Sequence, residues 1–235
     1  PVRSADGLRL SAILARPGDG SASDAPAAAG LPPILALHGF ASSAAAGWGR
    51  TGHLGALVRA GRTVIALDLR GHGESERPHE VHRYELDIVL ADIAAVVAAI
   101  PGWVREHRAG DAVDLIGYSL GARLCWTVAC RGVVPGRRMV LGGFDGRPLF
   151  QGTDPEKLDR LAAGVAGNDR LALRALVAGL AGTGSAALPD ADPIPTIPVL
   201  IVAGDKDPVA SGAQAYAATL PGGSFLAVPG RNHIS

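Results

Sequence analysis

A serine lies at the centre of a turn flanked by glycines, since residues 117–121 read Gly-Tyr-Ser-Leu-Gly. The apolar run 113–116 enters this turn, and a helix-compatible run, 122–129, leaves it. This context is typical of a nucleophile elbow, in which a serine is held on a strained strand-to-helix turn. The glycines fit because strand and helix approach there too closely for a Cβ atom. We therefore predict that Ser119 is a nucleophile in a disfavoured backbone conformation.

Two later turns carry residues that could activate this serine. The apolar run 199–203 leads into a turn with Asp205 and Asp207, and the run 225–228 leads into a turn with His233. Serine is a weak nucleophile at neutral pH, so a histidine must take its proton and an acid must orient the imidazole. Ser119, Asp207 and His233 each follow the carboxyl end of an apolar run and are the predicted catalytic residues, with Asp205 as the alternative acid.

Five motifs in chain order carry a resemblance to a known family. They are His38-Gly39-Phe40, Asp-Leu-Arg-Gly-His-Gly-Glu-Ser at 68–75, the turn 117–121, Gly-Asp-Lys-Asp at 204–207 and Gly-Arg-Asn-His at 230–233. The chain resembles an α/β-hydrolase-fold protein of the single-domain, small-cap serine-esterase type over nearly its whole length. The resemblance implies a serine hydrolase that cleaves carboxylic esters through an acyl-enzyme. It also favours Asp207 over Asp205, because the family places its acid three residues after the glycine.

Residues for an oxyanion hole and a substrate pocket follow from the same arrangement. The backbone N–H groups of Leu120 and Phe40 are the expected donors to the tetrahedral oxyanion. Candidates for the substrate pocket are His38, Gly39, Trp48, Phe144, Leu149 and Phe150, although the aromatic side chains among them fit the core equally well. His38, together with His72 and Arg70, is more simply interpreted as a hydrogen-bonding partner of loop backbone near the oxyanion hole.

Strand-like and helix-like runs alternate along the chain. Expected strands are 8–15, 34–37, 63–67, 113–116, 139–141, 199–203 and 225–228, and expected helices are 53–60, 84–100 and 122–129. This alternation predicts an α/β fold, with a mostly parallel central sheet flanked by helices and ligands bound at the carboxyl ends of the strands. We expect a single domain over 1–235, with 143–197 as a small lid insertion containing two short helices, 154–166 and 168–180. Thr153 or Asp154 would cap the first of them, and ordinary surface helices without a gating role are the alternative.

Composition limits the classes of function. The 22 basic and 22 acidic residues balance, so no net field recruits nucleic acid or an anionic membrane, and no apolar run is long enough to span one. Cys125 and Cys130 fit buried apolar positions, and a cytoplasmic location is expected. His and Cys show no metal-ligand spacing, so neither a metal nor a cofactor is expected. The expected partner is a small-molecule ester, and the oligomeric state stays open.

Arg123 stands out within an otherwise apolar helical pattern. It is interpreted either as an ion-paired helix residue or as a contact for a substrate carboxylate. The run Ser-Leu-Gly-Ala-Arg resembles the elbow of the menaquinone-pathway α/β-fold lyase, which is the alternative enzyme. A non-catalytic ligand sensor or scaffold is the alternative from another class, although all three catalytic side chains are present. Epoxide hydrolases and dehalogenases are disfavoured because they use an aspartate where Ser119 stands.

The end of the sequence departs from the family pattern. In the family the fold continues after the catalytic histidine into a helix that packs on the sheet, whereas this sequence stops at Ser235. Either the sequence is trimmed there or this edge of the sheet is unsupported, and in the second case His233 is expected to be poorly held.

Overall fold

The computed structural model describes residues 1–18, 31–102, 111–147, 150, 155–163, 167–182 and 194–234. Its strands are β1 (Val2–Arg3), β2 (Arg9–Ala15), β3 (Ile34–Leu37), β4 (Val64–Asp68), β5 (Val113–Tyr118), β6 (Gly136–Gly142), β7 (Val199–Gly204) and β8 (Gly223–Val228). Its α-helices are α1 (His53–Arg59), α2 (Leu86–Ala99), α3 (Leu120–Cys130), α4 (Pro155–Ala163), α5 (Arg170–Gly182) and α6 (Ala213–Thr219). Short turns of 3₁₀ or π helix occupy Ala45–Gly49, Val81–Tyr84 and Ile100–Gly102.

The strands described by the structure form one sheet in the order β1-β2-β4-β3-β5-β6-β7-β8. β2 pairs antiparallel with β1 and β4, and every later neighbour pair is parallel. The carboxyl ends of β3, β5, β7 and β8 therefore meet at one edge, where the loops with the predicted catalytic residues begin. The prediction of a mostly parallel sheet flanked by helices is confirmed.

Both faces of the sheet are covered, which places one predicted pocket residue in the core. On β3, Leu35 and Leu37 belong to the larger apolar cluster, whereas Ile34 and Ala36 belong to a smaller one. The two clusters lie on opposite faces because successive strand residues alternate. Trp48 packs in the smaller cluster and is only 5% exposed. The assignment of Trp48 to a substrate pocket is therefore wrong, since its ring fills the core between the sheet and α1.

The helix α2 is shorter than its sequence pattern. The pattern predicts a helix from Tyr84, but the chain forms a 3₁₀ turn over Val81–Tyr84 and leaves helical geometry at Glu85, whose ψ is 144°. Tyr84 is fully buried, and its hydroxyl donates a hydrogen bond to the carbonyl of Pro78 at 2.7 Å. Tertiary packing of the tyrosine thus decides where the helix begins.

Between β6 and β7 lie α4 and α5, called here the inserted helices. They correspond to the two helices predicted at 154–166 and 168–180, and the proposed cap at Thr153 or Asp154 lies outside the described residues. At the start of α5, Asp169 accepts hydrogen bonds from the N–H groups of Leu171 and Ala172, as an N-cap does. Leu173 of α5 and Ala162 of α4 pack on the loop that follows β3. Their action as a lid stays a prediction.

Two smaller observations concern membranes and thiols. Within the described ranges, no helix combines the length and the hydrophobicity that crossing a membrane requires. Cys125 and Cys130 are both buried on α3, as their apolar surroundings in the sequence predicted, and no disulfide joins them. Burial raises the pKa of the Cys125 thiol well above its usual range, so this thiol is unreactive near neutral pH.

Candidate active site

Ser119 sits at the junction of β5 and α3 in a strained conformation. Its φ of 52° and ψ of −111° are sparsely populated by residues other than glycine. A Cβ on Gly117 would overlap the carbonyl of Gly121, and one on Gly121 would overlap the carbonyl of Leu37. The close approach that the glycine spacing predicted is therefore present, and it places Ser119, which is half-buried, at the carboxyl edge of the sheet.

A chain of hydrogen bonds joins the serine to a histidine and an aspartate. Ser119 Oγ lies 3.0 Å from His233 Nε2, and His233 Nδ1 lies 2.8 Å from Asp207 Oδ2. A carboxylate only accepts, so the imidazole carries its proton on Nδ1 and leaves Nε2 free to accept from the serine hydroxyl. The Asp207 side chain is 1% exposed and that of His233 is 18% exposed. The arrangement can accept the hydroxyl proton as the serine oxygen attacks an electrophile.

In the turn after β7, Asp205 and Asp207 have different hydrogen-bond partners. Asp207 Oδ1 accepts the N–H groups of Val209 and Ala210, which fixes the carboxylate with Oδ2 facing His233. Asp205 Oδ1 instead accepts the N–H of Gly230 at 2.8 Å. The structure thus brings Asp207, and not Asp205, to the imidazole. Asp205 ties together the two loops that present Asp207 and His233.

Tyr118 supports His233 and was missed by the sequence analysis. Its hydroxyl donates a hydrogen bond to the backbone carbonyl of His233 at 2.5 Å, and the two rings lie 5.4 Å apart. Burial raises the pKa of Tyr118 to about 12, so the hydroxyl keeps its proton near neutral pH. A Cβ on Gly143, whose φ is 61°, would lie 2.8 Å from His233 Cε1, so only glycine leaves room for the ring. Tyr118 and the close fit at Gly143 thus give His233 support that does not come from a helix packed on the edge of the sheet.

The predicted oxyanion donors lie on two sides of Ser119. Leu120 is the first residue of α3, so its N–H has no partner within the helix, and the positive end of the helix dipole faces the serine. On the other side, a Cβ on Gly39 would lie 3.5 Å from Ser119 Cβ. Gly39 therefore adjoins the nucleophile, and Phe40 follows it directly. The assignment of these two N–H groups as oxyanion donors stays a prediction.

His38 lies in the interior, so its assignment as a pocket residue is wrong. The side chain is fully buried, and both ring nitrogens bind loop backbone. Nδ1 donates to the Gly39 carbonyl at 2.8 Å, and Nε2 accepts from the Leu69 N–H at 3.1 Å. The alternative interpretation of His38 as a backbone partner is the one that the structure supports. Arg70 is likewise buried, with Nε and Nη2 on the carboxylate of Asp92 at 2.5 and 2.6 Å.

The other aromatic candidates divide between core and site. Phe144 is 4% exposed, and its ring lies 5.6 Å from Trp126 and 5.7 Å from Tyr216, so it belongs to the core and its assignment to a pocket is wrong. Phe150 is half-buried and lies 5.4 Å from the ring of Phe40 in an edge-to-face contact. Phe40 and Phe150 thus form an apolar pair beside the predicted oxyanion loop. Leu149 lies outside the described residues.

Arg123 is buried and lacks, among the described residues, the ion pair that was the first of its two predicted roles. The residue is 4% exposed, Nη1 has no hydrogen-bond partner, and the described residues offer the guanidinium no carboxylate within ion-pair distance. Its central carbon lies 4.9 Å from the centre of the Phe144 ring, a cation–π distance. Burial lowers the pKa of Arg123 to about 10, so the group remains charged near neutral pH.

We expect replacement of this arginine by an apolar side chain of similar length to be tolerated. A buried cation with an unmade hydrogen bond costs desolvation energy, so Arg123→Met is expected to leave stability unchanged or raise it by about 1 kcal/mol. Hydrolysis of a neutral butyrate ester is expected to fall less than about tenfold. Thermal unfolding and steady-state kinetics measure both effects.

The matched control is Arg62→Met, which removes a guanidinium 2.6 Å from the buried carboxylate of Asp114. This variant is expected to lose stability, because it weakens the pairing of a buried charge. A collapse of ester hydrolysis in Arg123→Met with an intact fold would instead assign the arginine to the active site.

Comparison with known proteins identifies the fold. A family model described as alpha/beta hydrolase fold matches residues 32–143. Epoxide hydrolase 4 of Mus musculus is 33% identical over 100 residues, which make up 43% of this chain and 24% of that protein. The chain thus spans about a quarter of the length of that relative.

Solved structures match over nearly the whole chain. A hydrolase from Pseudomonas aeruginosa has a TM-score of 0.69 at 18% identity, covering 99% of this chain and 90% of that one. A thermophilic esterase from Thermogutta terrifontis has a TM-score of 0.67 at 17% identity, covering 99% of this chain and 89% of that one. At such low identity these likenesses establish the architecture and leave the reaction to be argued from the side chains.

Proposed function

The chain belongs to the α/β-hydrolase fold superfamily, and from that premise we propose that it is a serine hydrolase that cleaves carboxylic esters through an acyl-enzyme intermediate. The observation that carries the proposal is the chain of hydrogen bonds from Ser119 Oγ through His233 to Asp207, with distances of 3.0 and 2.8 Å. With its proton on Nδ1, the imidazole can donate to Asp207 and accept from Ser119, as general-base activation of the serine requires.

In the first half of the proposed reaction, Ser119 Oγ attacks the carbonyl carbon while His233 Nε2 takes the hydroxyl proton. The Asp207 carboxylate stabilises the imidazolium that forms and keeps Nε2 facing the serine. The backbone N–H groups of Leu120 and Phe40 hold the oxyanion of the tetrahedral intermediate. His233 then gives its proton to the leaving alcohol, and the acyl group stays on Ser119.

In the second half, a water molecule attacks the acyl-enzyme. His233 Nε2 takes a proton from this water, and the same two N–H groups hold the second oxyanion. Collapse of that intermediate releases the carboxylic acid and returns the proton to Ser119. The residues therefore serve both halves of the reaction without any added cofactor in the scheme.

The surroundings of the serine favour a neutral substrate with a modest apolar acyl group. Phe40 and Phe150 provide apolar ring surface beside the oxyanion loop. Ala162 and Leu173 of the inserted helices pack behind that loop with Phe40, so these apolar side chains limit the space on that side. The formal net charge of zero adds no long-range attraction for anions.

Because the chain is similar to epoxide hydrolases, an epoxide is the natural comparison substrate. The serine at position 119, however, argues against turnover of an epoxide. Attack of a serine oxygen on an epoxide gives an alkyl ether, which has no carbonyl for water to attack. Attack on an ester gives an acyl-enzyme, which retains that carbonyl. Ser119 can therefore complete a catalytic cycle on an ester and would be trapped by an epoxide.

The experiment is a series of p-nitrophenyl esters of increasing acyl length, with styrene oxide as the comparison. We expect kcat/KM to rise with acyl length, since each buried methylene contributes about 0.8 kcal/mol, and to fall once the chain exceeds the space beside Phe40. Styrene oxide is expected to show no turnover. Turnover of styrene oxide with inert esters would contradict the proposal.

The menaquinone-pathway-like lyase has no observation in its favour beyond the sequence of the elbow. That function requires a cation at the substrate, whereas the guanidinium of Arg123 lies over the ring of Phe144 and the residue is 4% exposed. A non-catalytic role is likewise less favoured, because it does not account for the hydrogen bond between Ser119 and His233. Elimination of pyruvate from an acidic substrate by a protein inert towards esters would revive the lyase.

A further inference from the structure

Two loops at the carboxyl edge of the sheet are joined by a reciprocal pair of histidine hydrogen bonds. His38, in the loop after β3, accepts the N–H of Leu69 on Nε2 at 3.1 Å. His72, in the loop after β4, accepts the N–H of Ala41 on Nε2 at 3.2 Å. Each loop thus supplies an imidazole to the other, and the two rings lie 4.9 Å apart.

Both imidazoles are neutral and in a fixed tautomer. Since Nε2 of each ring accepts an N–H, the proton must be on Nδ1, which faces a carbonyl: Gly39 for His38 and Arg70 for His72. Burial lowers the pKa of His72 to about 3, with the neighbouring His38 and Arg77 adding in the same direction. His72 is therefore an acceptor throughout the range in which a serine esterase works.

Ala41 is the residue that needs this acceptor. Its φ of 57° is a conformation that residues other than glycine adopt at a cost, so it persists only where the surroundings impose it. His72 holds the Ala41 N–H, and Asn168, beside the inserted helix α5, donates from Nδ2 to the Ala41 carbonyl at 3.0 Å. The peptide groups on both sides of Ala41 are thus fixed.

Phe40 immediately precedes this clamped residue. The peptide plane between Phe40 and Ala41 is set by the Ala41 N–H, so its orientation also constrains the backbone at Phe40. Gly39, the next residue towards β3, adjoins Ser119. The peptide that carries the Phe40 N–H has its own hydrogen bond, from His38 to the Gly39 carbonyl at 2.8 Å. A shift of the Ala41 amide is therefore expected to reach the Phe40 N–H through rotation at Phe40 itself, and a misplacement of about 1 Å costs on the order of 100-fold in rate.

We propose that His72 is a positioning residue for the oxyanion donor at Phe40, acting by accepting the hydrogen bond of the strained Ala41 amide. The expected effect on kcat rests on the proposed serine hydrolase function, whereas the expected effect on the conformation of the loop after β3 does not. His72 touches no substrate atom in this scheme. Its role is to keep the loop after β3 in the conformation that presents the Phe40 N–H.

The matched variants are His72→Gln and His72→Asn, two amides that differ by one methylene. The Gln oxygen reaches about as far as Nε2 and can accept from Ala41, whereas the Asn oxygen ends near the position of Nδ1 and cannot. We expect His72→Asn to lower kcat on p-nitrophenyl butyrate about 10- to 100-fold with KM within about threefold. His72→Gln is expected to stay within about threefold of the wild type in both constants.

Inhibition by phenylboronic acid gives a second kinetic measurement. Its tetrahedral adduct on the serine places an oxygen where the oxyanion forms, so His72→Asn is expected to raise its inhibition constant by about the factor lost in kcat. The acid limb of the pH–rate profile is expected to be the same in wild type and His72→Gln, because His72 does not titrate there. A shifted limb would make His72 a proton carrier and overturn the positioning role.

Hydrogen exchange tests the structural part without any activity. The Ala41 amide is expected to exchange about tenfold faster in His72→Asn than in the wild type, and to be protected again in His72→Gln. Unchanged exchange in His72→Asn overturns the inference even if esters are cleaved. Faster exchange in a protein that cleaves no ester supports the clamp and counts against the proposed function alone.

A stability control separates positioning from general loss of structure. Asp114→Asn weakens the ion pairs of Asp114 with Arg62 and Arg137 near the amino end of β5, far along the sheet from Ser119. This variant is expected to lower the unfolding temperature while leaving kcat unchanged. If His72→Asn loses stability but keeps kcat, or if His72→Gln is as impaired as His72→Asn, the positioning role is overturned.

Discussion

Replacing Ser119 by alanine is expected to remove ester hydrolysis, with kcat falling on the order of 10⁶-fold. The large factor arises because the nucleophile, the base and the orienting acid act as a unit, so the loss of one removes the covalent route altogether. The measurement is hydrolysis of p-nitrophenyl butyrate, together with labelling by a fluorophosphonate probe. Wild-type protein is expected to bind one equivalent of probe and Ser119→Ala none.

The fold is expected to survive this change. Alanine also has a Cβ and meets the same backbone strain at φ 52° as the serine it replaces, so the unfolding temperature should change little. Ser43→Ala serves as the control, since this serine accepts a hydrogen bond from Ala46 in the loop after β3 and has no role in the proposed reaction. Activity in Ser119→Ala within about tenfold of the wild type would refute the assignment of the nucleophile.

The second large effect is expected for Asp207→Asn, which should lower kcat by about 10⁴-fold. An amide nitrogen placed opposite Nδ1 favours the tautomer with its proton on Nε2, and that nitrogen can then no longer accept from Ser119. The Asn oxygen can still accept the N–H groups of Val209 and Ala210, so the turn is expected to remain folded. The loss should appear in kcat with little change in KM.

Asp205→Asn is the matched comparison, with the same chemical change two residues away. Its oxygen can still accept the Gly230 N–H, so we expect a loss of less than about tenfold. A reversed result, with the larger loss in Asp205→Asn, would mean that the imidazole changes its partner in solution. Circular dichroism of both variants checks that the loops remain formed.

The sequence-based predictions agree best with the structure where they rest on residues that are neighbours in the chain. The glycines at 117 and 121 predicted a turn too tight for Cβ atoms, and the structure has that turn with Ser119 at positive φ. The strand 34–37 was predicted with the bounds that β3 has. Apolar runs and glycine requirements depend on neighbours in the chain, so they can be read from a single sequence.

Packing residues were harder to assign. Trp48 and Phe144 were offered as pocket residues because they lie near the motifs, but both fill the core. The same apolar ring surface can line a pocket or fill the core. Which of the two an aromatic side chain does depends on the face of the sheet against which it packs. Arg123 likewise looked like an ion-paired residue, whereas its guanidinium lies over the Phe144 ring.

By itself, the sequence determined most of the strands and helices along the chain, the mostly parallel sheet and the position of the elbow, because these follow from local periodicity and backbone geometry. It did not indicate β1 or α6. It limited the choice of catalytic acid to Asp205 and Asp207. Only the tertiary structure decided that Asp207 meets His233, that Tyr118 holds His233 from 115 residues away and that His72 binds the Ala41 amide from 31 residues away. Such contacts depend on how separate loops lie against one another at the edge of the sheet, and no local pattern carries that information.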